Sequence, residues 1–306
     1  MRYSTQRHAA IAALALLLGA CGGGTGVQPT GADADSDSDS PPMRASYLLG
    51  AWNVHSFGAA LMADPGQVAV VVDVVRRFDL VIIQEVRDRD ELAIHALLAQ
   101  INARGGEQYG LILSPRLGDN SRYMEQYAYL YRLGSAALID QFNYDDGPEP
   151  DGDSLAREPL VTYWDLGGFT LVLLPSHIAP ENAPAELNAL VEVAAVASDR
   201  WGDRDLMIIG DLNADCAYVG ASDWPDILLR NDPAYVWLID DDADTTVSAT
   251  DCAYDRIIAT AELAASAQLS AAGVFDYQLA YGLSDELAAR VSDHFPVEVT
   301  LTSADP

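Results

Sequence analysis

Several apolar runs in this chain end in residues that bind cations or move protons. Val81-Ile82-Ile83 leads into Gln84-Glu85, and Leu206-Met207-Ile208-Ile209 leads into Gly210-Asp211-Leu212-Asn213. Asp293-His294 stands directly ahead of Phe295-Pro296-Val297-Glu298-Val299, and Leu171 to Pro175 is followed by Ser176-His177. Runs of this length and pattern predict buried strands, so their polar ends gather at the mouth of a sheet. Carboxylates and an amide oxygen suit a hard divalent cation. Two imidazoles suit the removal of a proton from water and its delivery to a leaving oxygen near neutral pH. Phosphodiester hydrolysis needs this set, because negative charge gathers on the phosphoryl oxygens and a cation neutralises it. Each imidazole also needs an acid to fix its tautomer, and Glu125 and Asp255 are available.

The elements that must hold these residues alternate along the chain. Strands are predicted at 47–54, 80–84, 109–113, 126–132, 160–164, 170–175, 206–209, 253–259, 273–278 and 296–301. Helices are predicted at 66–78, 91–103 and 183–200, with His95 on a surface, and the acidic segment 145–153 reads as a loop. Many strands with few helices predict an α+β fold, two packed and mainly antiparallel sheets with helices outside: a four-layer α/β/β/α sandwich. A chain of 306 residues, half of them apolar, can build such a core.

Residues 1–20 carry Arg2 and Arg7, then an apolar stretch too short to span a bilayer, as a secretory signal does. Leu18-Gly19-Ala20-Cys21 looks like a bacterial lipobox, with Cys21 lipidated. Residues 21–45 then form a flexible acidic tether, and 46–303 the folded domain. On this reading the protein is lipid-anchored, at the bacterial outer membrane, on its periplasmic or outer face. Cys216 and Cys252 are the remaining cysteines, and in an exported protein two cysteines most often pair. Metal ligation is their other reading. Net charge is −29, without a single Lys, which argues against a broad basic grip on nucleic acid.

The ordered segments complete the picture. Asn53 in Trp52-Asn53-Val54-His55, Gln84 to Asp88, Ser176-His177, Gly210 to Asn213 and Ser292-Asp293-His294 resemble the endonuclease/exonuclease/phosphatase superfamily. With Asp145-Asp146-Gly147, Arg157-Glu158-Pro159, Ala243 to Thr246 and Cys252 to Ile257, the chain resembles the deoxyribonuclease I family over 46–301. The resemblance implies a metal-dependent endonuclease of low sequence specificity, cutting extracellular double-stranded DNA to 5′-phosphate ends as a monomer. It implies His177 and His294 as the catalytic pair, partnered by Glu125 and Asp255. Asn53, Glu85, Asp211, Asn213 and Asp293 would surround Mg²⁺ or Mn²⁺ and the scissile phosphate. Arg87 and Tyr123 would enter the minor groove, and Arg157 would contact phosphate. Structural Ca²⁺ is implied at Asp146, Asp153 and Glu158, and again at Asp244 and Thr246. The Cys216–Cys252 pair matches the family's structural disulfide.

Some positions depart from that pattern. Pro148 and Asp151 stand near the places of a small disulfide usual in the first calcium loop. His55 replaces an Arg that touches phosphate, and Met124 and Gln126 replace basic residues beside Glu125. Fewer cations at the groove predict weaker, less salt-dependent DNA binding. Other readings remain at this stage: a phosphoesterase of the same fold acting on RNA, nucleotides or phospholipid headgroups, or a surface lipoprotein that binds without turnover.

Overall fold

The computed structural model describes residues 46–118, 123–147, 154–247, 249–266 and 269–302. The signal segment, Cys21, the tether to residue 45, Pro148, Asp151 and Asp153 lie outside them. The first strands are β1 (Ser46–Phe57), β2 (Leu80–Val86), β3 (Tyr109–Leu113) and β4 (Gln126–Arg132). Then follow β5 (Ala137–Asn143), β6 (Leu160–Asp165), β7 (Thr170–Pro175) and β8 (Leu206–Asp211). The last are β9 (Tyr235–Trp237), β10 (Asp255–Thr260), β11 (Leu269–Val274) and β12 (Val297–Thr302). Helices α1 (Ala59–Met62) and α2 (Pro65–Val75) connect β1 to β2, and α3 (Leu92–Ala103) follows. Helix α4 (Ala183–Trp201) connects β7 to β8; α5 (Leu228–Asn231), α6 (Ala261–Ala265), α7 (Tyr277–Tyr281) and α8 (Asp285–Val291) are short.

Two six-stranded sheets result, ordered β11-β12-β1-β2-β4-β3 and β5-β6-β7-β8-β10-β9. Alternation along single strands shows how they pack. Leu49 and Ala51 of β1, Ile82 of β2, Leu173 of β7 and Ile209 of β8 share one core between the sheets. Their neighbours Trp52, Val54, Val81 and Ile83 pack with residues of α2 and α3. Val172, Leu174 and Ile208 pack with Leu187 and Leu190 of α4. Period-two burial on both faces of both sheets makes the expected α/β/β/α sandwich. Each fully buried Leu, Ile or Val contributes about 1.5–3 kcal/mol by removal from water.

Local signals set the helix ends. The Asp64 carboxylate accepts from the Gly66 and Gln67 amides, with Pro65 in the first turn, so α2 starts there. Gly202, at φ +65°, ends α4. The strands differ from expectation at three places. The stretch 273–278 is not one strand: Asp276 accepts from Leu279 N and starts α7 instead. β5 was not predicted, because it is an edge strand whose residues alternate between exposed and half-buried without an apolar run. The edge strand β9 also went unpredicted, at three residues.

Two pairs are parallel, β1 with β2 and β7 with β8. Parallel strands bring their carboxyl ends to the same side, which is where α/β folds place their ligands. β10 runs antiparallel to β8, and β12 to β1, so each of these begins where its neighbour ends.

Candidate active site

The strand directions account for the cluster. Asn53 lies in the last part of β1, Glu85 in β2, His177 just after β7 and Asp211 at the end of β8. Asp255 opens β10, and His294 precedes β12. In the first sheet the parallel pair carries an irregularity. The β1–β2 register shifts between Asn53 and Phe57, with Ser56 at φ +52° and Glu85 at φ +58°. Positive φ in non-glycine residues is strained and recurs at functional sites. Here it lets Ser56 N donate to Glu85 Oε2 at 2.8 Å, aiming the carboxylate.

The two imidazoles converge on one carboxylate. His177 Nε2 and His294 Nε2 each lie 3.7 Å from Asp211 Oδ2. On the far side of each ring, Nδ1 meets its own acid: His177 with Glu125 Oε1 at 2.5 Å, and His294 with Asp255 Oδ2 at 2.7 Å. Such a partner fixes which ring nitrogen carries the proton. Burial opposes charge on His294, but Asp255 and Asp211 override it and push its pKa up to about 10. Burial likewise opposes charge on His177, and Glu125 overrides it, raising the pKa. Glu125 itself is raised by burial but held below its ordinary value by His177 and Arg157. Asp255 is raised, by burial above all.

The cation-binding side is oxygen-rich. Asn53 Nδ2 stands 3.3 Å from Glu85 Oε1 and 3.1 Å from Asp211 Oδ2, joining carboxylates from different sheets. Asn53 Oδ1 is buried with no hydrogen-bond partner, an oxygen of the kind a hard cation takes. Asn213, at φ +46°, donates its amide to Asp211 Oδ1 and its side-chain nitrogen to Ile178 O. Asp293 is at the rim, 4.0 Å from His294 Nε2 and ion-paired with the exposed His55 at 3.3 Å. Asp211, Asp255 and His294 bring ligand atoms within 4.8 Å of one another, a group able to hold a divalent metal. Since Asp255 is committed to His294 Nδ1, the Glu85–Asn53 side of Asp211 fits a hard cation better.

Supporting groups extend the site. Gln84 donates to Ser176 O at 2.6 Å and accepts from Asp211 N at 3.0 Å, tying the sheets together beneath both functional side chains. Gly210 is required between them: at φ +144°, a Cβ would sit 2.2 Å from Ser176 O. Tyr127 OH accepts from His177 N, and Ser292 Oγ links Asn53 O to His294 N. The run pattern did not single out Ser56, Tyr127 or Ser292. Hydroxyls that bond to backbone have no signature beyond residue type.

Beside His177 lies a cleft of about 310 Å³, lined by Glu85, Arg87, Tyr123 and Arg157 among others. The Arg87 guanidinium is 5.9 Å from the ring centre of the exposed Tyr123, and its Nε is 3.5 Å from Glu85. Arg157 Nε donates to His177 O at 2.8 Å and lies 3.5 Å from Glu125. Gln126 turns away from this cleft, buried and bonded to Glu91 and Ser114 O.

Cys216 and Cys252 form a disulfide with Cα atoms 6.0 Å apart, which removes the metal-ligand reading for them. Of the expected calcium residues, Asp146 accepts from the Ser154 and Leu155 amides, and its Oδ1 is buried without a partner. Glu158 is half-buried. Asp244 Oδ1 accepts from the amide and hydroxyl of Thr246, in a loop apart from Asp146 in sequence.

The sequence of residues 50–294 matches the Endonuclease/Exonuclease/phosphatase family. Deoxyribonuclease-1 of Bos taurus is 42% identical over 264 residues, covering 84% of this chain and 93% of that protein. Deoxyribonuclease-1 of Oryctolagus cuniculus is 41% identical over 261 residues, covering 84% and 92%. The chain belongs to this family. It is a metal-dependent phosphodiesterase of the endonuclease/exonuclease/phosphatase fold. Solved structures agree on the fold at low identity. An endonuclease/exonuclease/phosphatase family protein from Leptotrichia buccalis matches with TM-score 0.58 and 15% identity, covering 84% of this chain and all of that one. Truncated TDP2 of Caenorhabditis elegans matches with TM-score 0.57 and 15% identity, covering 84% and 98%.

These relatives correct one expectation. The similarity runs to mammalian deoxyribonuclease-1 proteins, not to a bacterial lipoprotein, and gives no support to a lipid anchor in the outer membrane. That reading rested on four residues ending at Cys21, outside the matched span of the endonuclease/exonuclease/phosphatase family.

Proposed function

We propose that this protein is an endonuclease that hydrolyses phosphodiester bonds of double-stranded DNA with low sequence specificity, giving 5′-phosphate ends. The observation that carries the reading is the facing pair of imidazoles, each backed by its own carboxylate and both 3.7 Å from Asp211. One imidazole accepts the proton of the attacking water, and the other donates a proton to the departing O3′. Glu125 and Asp255 hold the rings in the required tautomers and balance the imidazolium as it forms.

Glu85, Asp211 and Asn53 hold the divalent ion, Mg²⁺ or Mn²⁺, with Asn213 and Asp293 beside them. When bound, the ion neutralises charge on the phosphoryl oxygens. Arg87 and Tyr123 present a cation and a flat ring at the cleft, suited to a narrow electronegative groove. Arg157 meets phosphate there while also bracing His177. Asp146 with Asp153 and Glu158, and Asp244 with Thr246, are the proposed structural Ca²⁺ loops. Residues 46–303 act as one catalytic domain, and a monomer suffices for the chemistry. DNA as the substrate is supported by the names and 41–42% identity of the deoxyribonuclease-1 relatives.

The test uses the full chain with supercoiled plasmid and with RNA of similar length, in Mg²⁺ with and without Ca²⁺ and with EDTA. Plasmid nicking that needs the metal and falls about 10²–10⁴-fold in His177→Ala is expected. Cleavage of RNA in preference to plasmid, or plasmid cleavage undiminished in the variant, refutes the reading.

A further inference from the structure

We propose that Thr245 is a positioning residue that holds the His294–Asp255 pair in register from both sides. The inference rests on the function proposed above and deepens it at one half of the site. Thr245 is fully buried and touches neither imidazole in the hydrogen-bond network described. Its hydroxyl oxygen accepts from the backbone amides of Tyr254 and Asp255, at 3.1 and 3.2 Å, and donates to Cys252 O at 3.1 Å. Its own main chain faces the opposite strand, where the Phe295 amide donates to Thr245 O at 2.8 Å. One residue thus grips the chain at Asp255 and the chain next to His294.

The neighbouring contacts make this a short ladder rather than a single bond. Thr246 pairs with His294 in an antiparallel bridge, and Val247 N donates to Asp293 O at 2.8 Å. Thr245 N donates to Cys252 O, at one end of the disulfide. Asp255 and His294 are 39 residues apart in sequence; Asp255 opens a strand of one sheet, and His294 precedes a strand of the other. The segment 245–247 is hydrogen-bonded to Asp255 and to the residues on either side of His294. A bond of 2.7 Å between Asp255 and His294 tolerates little drift of either backbone. The side chain is needed because a methyl in place of the hydroxyl leaves the buried Asp255 amide and the part-buried Tyr254 amide without this acceptor, and the chain there must move to find one.

The experiment compares wild type with Thr245→Val, which keeps the shape and loses the hydroxyl, and with Thr245→Ser, which keeps the hydroxyl. Steady-state nicking gives kcat and KM. Proton NMR follows the downfield Nδ1 signals of His294 with Asp255 and of His177 with Glu125, assigned with His294→Gln. In Thr245→Val, kcat falls about 10- to 100-fold with KM within twofold, as for loss of an outer partner of a functional group. The His294 signal is lost while the His177 signal stays, and Thr245→Ser recovers both rate and signal. Thr245→Ala carries the same expectation should the valine variant not fold. A valine variant that keeps the His294 signal and kcat and only unfolds more readily overturns the proposal, as does a serine variant no better than valine. Should wild type cleave no nucleic acid while the His294 signal still disappears in valine and returns in serine, the positioning role stands and the nuclease reading falls.

Discussion

Replacing Gly210 by Ala tests whether the contact between β7 and β8 sets the rate. The strands are parallel, with Pro175 opposite Ile209, so Ser176 and Gly210 are the next pair along. A Cβ on residue 210 would lie 2.2 Å from Ser176 O and 2.5 Å from Gln84 Nε2. The amide could swing aside, but the carbonyl is backbone, and non-bonded contacts need about 1 Å more than this. An L side chain at φ +144° adds strain of about 1–3 kcal/mol, and overpacking adds about 1–3 kcal/mol. Together they predict about 2–6 kcal/mol lost from stability, measured by urea denaturation. The strands cannot part without moving His177, the residue after Ser176, relative to Asp211, the residue after Gly210. A misplacement of about 1 Å costs on the order of 100-fold in rate. Plasmid nicking by the folded fraction should therefore fall about 100-fold. Adding Gln84→Ala should not restore it, because the Ser176 carbonyl remains in the way. An alanine variant with wild-type rate and denaturation midpoint would refute the argument.

Three more outcomes follow from the same geometry. Glu125→Gln removes the charge that keeps His177 protonated. Glu125 is lowered in the folded state, so its contribution holds above its ordinary pKa of 4.5 and is lost as pH falls through the lowered value; His177 is raised, so its contribution holds below 6.5 and is lost as pH rises through the raised value. The stability gap between wild type and variant should be widest between those ordinary values, and a gap unchanged down to strong acid would contradict it. Cys216→Ser with Cys252→Ser opens a 36-residue separation, which the chain-entropy model values at about 4 kcal/mol; a loss under about 1 kcal/mol in denaturant melts would oppose that account. With Arg87 and Arg157 as the cleft's guanidinium groups, log KM against log salt should have a slope of about 2 or less, and a slope above about 4 would mean phosphate contacts elsewhere.

Much of this molecule was legible because its candidate site residues interrupt apolar runs. Glu85 and Asp211 lie at the ends of strands buried on both faces and His177 just beyond one, where an unpaired polar group is costly enough to stand out. The four layers followed from the same runs. β5 did not, since an edge strand half in water carries no continuous apolar signal. Nor did α7, where one capping Asp276 outweighed a β-like composition. Family resemblance could pair His294 with Asp255, but not find the buried hydroxyl of Thr245 on the Asp255 amide, because hydrogen bonds to main chain leave no periodic trace. The lipid-anchor expectation failed for the opposite reason: it rested on a local pattern in residues 1–45 alone, and the relatives of the chain are mammalian deoxyribonuclease-1 proteins.

The order of strands has a consequence for biosynthesis. β12 lies between β11 and β1, so among the described residues the first sheet is completed by the strand latest in the chain. A nascent chain that already carries Asn53, Glu85, His177, Asp211 and Asp255 still lacks His294, and β1 still lacks its antiparallel neighbour. The candidate site is therefore incomplete until the segment that carries His294 and leads into β12 has been made. A ribosome-bound chain that stops short of His294 holds most of the candidate site but only one of its two imidazoles.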